Sequence, residues 1–70
     1  MNELKIVDNN GGLMNMNEAA AYLQIKKSTL YQMTMRREIP CVKIGKLNRF
    51  RKIDLDNFIN NNLKEANQVD

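Results

Sequence analysis

The chain has seventy residues, 11 of them Lys or Arg and 8 Asp or Glu, for a net charge of +3 and an isoelectric point near 9.2. That size predicts one domain with a small core, which argues against a large enclosed substrate pocket. The absence of histidine removes the commonest general base and metal ligand and any Cys/His zinc spacing.

Cys41 is the sole cysteine. It cannot form an intrachain disulfide, which fits a reducing cytoplasm. No apolar run approaches the ~20 residues of a bilayer span, so no membrane partner is expected. The start of the sequence shows no secretory pattern. Charge is unevenly placed: nine basic residues and one acid, Glu38, lie between Lys26 and Lys52. One side of the fold should therefore attract phosphates.

Residues 1–12 are polar apart from Leu4, Ile6 and Val7, and read as a leader without stable structure, although Leu4–Val7 has strand character. The first helix opens on a capping box. Asn15 is set to accept from the N–H of Glu18, and the Glu18 side chain to reach back. Met14, just before the cap, is placed for a hydrophobic staple. Ala19, Ala20 and Leu23 share one face at helical spacing. The three alanines 19–21 give high propensity and a slim profile that lets a neighbouring helix approach. This helix ends near Leu23, and Gln24-Ile25 is the turn, with Ile25 buried beneath it.

A second helix is expected from about Lys26–Ser28 to Arg37. Leu30 and Met33 point inward. The opposite face carries Lys27, Ser28, Tyr31, Gln32, Met35 and Arg36, with Thr29 at the boundary. Pro40 blocks further helix, because it lacks an N–H and restricts the residue before it. Cys41–Ile44 alternates as a strand, Gly45-Lys46 makes a turn, and Asn48–Arg51 returns. Phe50 faces the core while Arg49 and Arg51 face outward. A last helix begins around Lys52–Asp54, with Asp54 and Asp56 in the first turn, where the dipole favours acids. Leu55, Phe58, Ile59 and Leu63 form its buried stripe, and the asparagines 60–62 mark a fraying end.

The fold class is thus mainly α with a small β-hairpin: helix, turn, helix, basic ribbon, helix. The carriers Asn15-x-x-Glu18-Ala19-Ala20-x-x-Leu23, Ser28-Thr29-Leu30-Tyr31, Ile39-Pro40, Val42-Lys43-Ile44-Gly45, Arg49-Phe50-Arg51 and Asp54-Leu55-x-x-Phe58 resemble the MerR-like winged helix-turn-helix domains of small excisionases. The resemblance covers residues 13–63, with 1–12 as leader and 64–70 as a flexible tail. Two positions depart from it: the family often has glycine where this chain has Gln24, and where it has Glu38.

The resemblance implies a cytoplasmic protein that binds double-stranded DNA, has no enzymatic activity and needs no cofactor or metal. Excisionases of this kind bind and bend DNA to help a tyrosine or serine recombinase (an integrase) assemble. Some relatives are transcription regulators instead, and the residues alone do not separate the two. A protein-interaction adaptor using Leu4–Val7 is a third reading, against which the basic centre argues. Only about 12 residues follow Phe58, too few for a dimerising coiled coil. A monomer that binds cooperatively on DNA is expected.

The candidate DNA-binding residues of the second helix are Lys27, Ser28, Thr29, Tyr31, Gln32 and Arg36. Gln32 suits paired hydrogen bonds to adenine, and Tyr31 a phosphate or base contact. Lys27, Ser28 and Thr29 stand where a helix N-terminus favours phosphate, although Ser28 or Thr29 could equally be an ordinary cap. Arg36 looks toward DNA, whereas Arg37 is expected to pair with an acid of the last helix. In the wing the candidates are Lys43, Lys46, Asn48, Arg49 and Arg51. An arginine suits a narrow minor groove, and the bland alternative is a charged ribbon edge that resists aggregation. Cys41 reads as a core residue, with no histidine to activate its thiol.

Overall fold

The computed structural model describes residues 12–66. The expectations for Leu4–Val7 and for the last four residues lie outside that range. The described elements are β1 (Leu13–Met14), α1 (Met16–Leu23), α2 (Lys27–Met35), β2 (Val42–Ile44), β3 (Leu47–Arg51) and α3 (Lys52–Asn61). They form three helices and a small antiparallel sheet in the order β1-β3-β2. This is the winged helix-turn-helix architecture.

Both halves of the capping box form. Asn15 Oδ1 accepts from the Glu18 N–H at 2.8 Å, and Glu18 Oε1 accepts from the Asn15 N–H at 2.9 Å. Two N–H groups that α1 leaves without intrahelical partners are thereby satisfied. α1 closes with Gln24 in the left-handed region at φ 58°. The Ile25 N–H bonds the Ala20 carbonyl and the Gln24 N–H bonds the Ala21 carbonyl, which is the Schellman pairing.

The same device ends α2. Arg37 has φ 61°, and the Glu38 and Arg37 N–H groups bond the Met33 and Thr34 carbonyls. The left-handed residue is therefore Arg37, not Glu38, one position earlier than the resemblance suggested. The Schellman register dictates it: the turn reverses at the residue after the C-cap, and Arg36 is that cap. A side chain held there costs about 1–2 kcal/mol relative to glycine. An exposed cation near a helix C-terminus recovers only about 0.3–1 kcal/mol through the helix dipole.

The wing is the predicted hairpin with one addition. Gly45, at φ 60°, opens the two-residue turn, as a type II′ connection requires. The added strand is β1. Leu13 pairs Arg51 and Met14 pairs Phe50, so the residues just ahead of α1 edge the sheet. Two residues are too few for a period-2 pattern, and the N-cap at Asn15 hides them from local reading.

The core is Ala19, Ala20, Leu30, Ile39, Phe50 and Leu55, with Leu23, Ile25, Met33, Cys41 and Phe58 packed around it. No polar residue is buried among those described. Ile39 joins the core because the left-handed turn at Arg37 folds the chain back under α2. The stripe predicted for the last helix is shorter than expected. Ile59 is 44% exposed although its neighbour Phe58 packs on the core, and Leu63, 67% exposed, lies past the end of α3 at Asn61.

α1 and α3 are tied by a polar clamp. The Tyr22 hydroxyl donates to Asp56 Oδ1, and Lys52 Nζ donates to Asp56 Oδ2 at 2.9 Å while lying 5.7 Å from the centre of the Tyr22 ring. The Tyr22 hydroxyl, and after it Lys52, holds the Asp56 carboxyl below the usual carboxylate range. A depressed acid stabilises the fold above its unfolded pKa, and that stabilisation is lost as pH falls through the folded value. Tyr22→Phe is therefore expected to lower the thermal midpoint slightly at neutral pH. Melts taken down to about pH 2 should show the gap to wild type closing as Asp56 protonates. A gap of constant size at every pH would mean that the hydroxyl acts through packing and not through Asp56.

Candidate nucleic-acid interface

α2 buries Leu30 completely and presents its other side to solvent. Its N-cap is Lys26, which makes no side-chain cap, and Ser28 and Thr29 lie inside the first turn. The capping alternative for those two residues is thereby removed. The first-turn N–H groups of α2 receive no capping side chain, and an anion is what such a terminus favours. Thr34 uses its hydroxyl internally, donating to the Leu30 carbonyl at 2.9 Å.

Lys27, Ser28, Tyr31 and Gln32 line one hollow together with Met16 from α1 and Asn48 from β3. Tyr31 is half exposed there. Four predicted residues of the recognition helix and one of the wing thus meet on a single surface. Thr29 is exposed beside them but does not line the hollow. Met16 was not foreseen. A methionine at the first helical position reads as core filler, and Met16 does pack against the core while also lining this hollow.

The wing residues divide by face. Asn48 shares the pleat direction of Phe50, and Lys43 stands opposite it in register, donating to Asn48 Oδ1 at 2.9 Å. This pair lies toward α2. Arg49 and Arg51 point to the other face, as alternation predicts, alongside Leu13, Val42, Ile44 and Leu47. Arg49 is half-buried, and its Nη1 donates to the Asn48 carbonyl at 2.8 Å. Arg51 is engaged by both oxygens of Asp54, at 2.6 and 2.8 Å. Its guanidinium holds the Asp54 carboxyl low, and the carboxylate in turn raises the arginine. Lys46 sits exposed in the wing turn. The structure therefore joins Lys43 and Asn48 to the recognition helix, and gives Arg49 and Arg51 partners within the fold.

The expectation for Arg37 comes out differently, whereas Arg36 stays exposed on the end of α2. Arg36 pairs loosely with Glu38 at 3.9 Å, both well exposed, an interaction of little consequence for stability. Arg37 does not pair with an acid of the last helix. Asp54 is taken by Arg51 and Asp56 by Lys52 and Tyr22, because the chain enters α3 through those two cations. Among the described residues no group of His, Cys, Asp and Glu could hold a metal, and no helix is long and apolar enough to cross a membrane.

Residues 13–63 match the family described as a helix-turn-helix domain. No curated protein and no solved structure matches the chain. The match spans most of the sequence and takes in all six elements and the recognition surface. The chain belongs to the helix-turn-helix domain family, whose fold supports DNA as its partner.

Proposed function

We propose that this protein is a sequence-specific binder of duplex DNA, without catalytic activity, that acts as an excisionase-like recombination directionality factor. In this reading α2 enters the major groove. Gln32 and Tyr31 face base edges, Lys27 and the amino end of α2 meet a phosphate, and Lys43, Lys46 and Asn48 follow the flanking backbone. The protein works as a monomer in the cytoplasm, binds neighbouring sites cooperatively and bends DNA for an integrase.

The observation that carries the DNA part is the single exposed surface of Lys27, Ser28, Tyr31, Gln32 and Asn48, which contains no acid. Hydrogen-bonding groups of this kind, set on a helix beside a basic ribbon, suit a groove and its phosphates. The excisionase part rests on the motif resemblance over residues 13–63. A transcription regulator would use the same surface.

Selection of bound duplexes from a random library, at one stated salt concentration, tests the reading. An enriched motif in direct repeats, with bending of the selected duplex, supports it. An enriched single motif without bending favours the regulator. No binding even at low salt would falsify DNA as the partner. Sedimentation of the DNA-free protein should give one species of monomer mass.

A further inference from the structure

The cleft between the end of α2 and the wing is lined by Thr34, Arg37, Ile39, Cys41, Lys43 and Asn48, among others, and measures about 730 Å³. Two cations face it, Arg37 from the turn after α2 and Lys43 from β2. Lys43 bonds only the neutral Asn48. Arg37 makes no ion pair or side-chain hydrogen bond with any described residue. One acid, Glu38, also lines the cleft, and its carboxylate lies 3.9 Å from Arg36, while Asp54 and Asp56 are paired with Arg51, Lys52 and Tyr22.

Arg37 also occupies a backbone conformation that favours glycine, at φ 61°. Gln24 shares that conformation at φ 58°, so the strain alone assigns no task; what sets Arg37 apart is its place on a cleft beside a second cation. The fold itself gives this side chain no task. It is exposed, and the gain from the helix dipole is smaller than the strain. The cleft adjoins the recognition surface, since Asn48 lines both. In the DNA-binding reading above, a strand that runs from α2 to the wing would pass this opening.

We propose that Arg37 and Lys43 form a phosphate seat for one phosphodiester of the bound duplex. The seat rests on the DNA-binding reading above and adds to it a contact that the fold does not require. Arginine provides a forked donor for phosphate oxygens, and Lys43, steered by Asn48, provides a point charge on the opposite wall.

The test measures binding of the full chain to a fluorescent mixed-sequence duplex across a salt series, with thermal melts on the same samples. Arg37→Gly relieves the backbone and removes the charge. It is expected to raise the melting temperature by a few degrees and to weaken binding about tenfold near physiological salt. The slope of log affinity against log salt should become shallower by about 0.9, the signature of one lost phosphate contact. Arg37→Lys should keep most of that slope. Gln24→Gly, the same relief at the end of α1, should raise the melting temperature and leave binding unchanged.

Opposite signs for stability and affinity at Arg37 distinguish a ligand contact from a structural role, in which both would fall together. If Arg37→Gly fails to fold, Arg37→Asn, which tolerates the left-handed region, gives the same readout. Wild-type binding combined with unchanged affinity and slope in the neutral variants overturns the seat and leaves the DNA reading standing. Absence of wild-type binding at low salt overturns both.

Discussion

Phe50→Ala is expected to destabilise the chain by about 3–5 kcal/mol, enough to leave a large fraction unfolded at 37 °C. Phe50 has no exposed surface and, with Leu30 and Leu55, is one of the largest fully buried side chains. It sits where β3 meets α1 and α3, and its backbone is also the partner of Met14 in β1. Removing the ring empties the point at which the sheet is joined to the helices, and a small domain has little stability to lose. Urea denaturation followed by circular dichroism measures the effect. Leu47→Ala is the comparison: it lies on the same strand but is half exposed, and should change stability by no more than about 0.5 kcal/mol. A loss below about 1.5 kcal/mol for Phe50→Ala would mean that the core does not close on this ring.

Gln32→Ala should weaken binding at one preferred base pair by about 1–3 kcal/mol and leave the other positions of the site unchanged. Gln32 is exposed on α2 and lines the recognition hollow beside Tyr31. Its amide offers a donor and an acceptor side by side, the arrangement that adenine presents in the major groove. The effect should appear when the variant is compared with wild type on a panel of single-base changes in the selected duplex. Wild type should discriminate at that position and the variant should not. An equal loss on every duplex, with a shallower salt slope, would reassign Gln32 to the backbone. The Arg37 variants should behave in the opposite way, losing affinity uniformly and keeping discrimination.

Most of the fold is legible along the chain because its signals are local. The Asn15–Glu18 box, the inward Leu30, the stop at Pro40, the turn at Gly45 and the acids opening the last helix each act within a few residues. The order of three helices and a hairpin follows from them, and so does the composition of the recognition face, since helical spacing alone separates Tyr31 and Gln32 from Leu30 and Met33. The motif order carried the resemblance, and the family match over residues 13–63 bears out its helix-turn-helix part.

Packing settled what no local signal specifies. β1 exists because Leu13 and Met14 find β3, some 37 residues later in the chain. Ile39, in the loop after α2, is buried in the core, whereas Ile59 and Leu63 stay exposed. Asp54 and Asp56 pair with Arg51 and Lys52 and not with Arg37, since partners three and four residues away along α3 need no loop to be ordered. That pairing leaves Arg37 without an acid and sets it across a cleft from Lys43. Residue type and spacing are properties of the chain and declare helices, turns and faces without help. Which cation meets which acid, and which two walls enclose a cleft, depend on distances that exist only after the elements have packed.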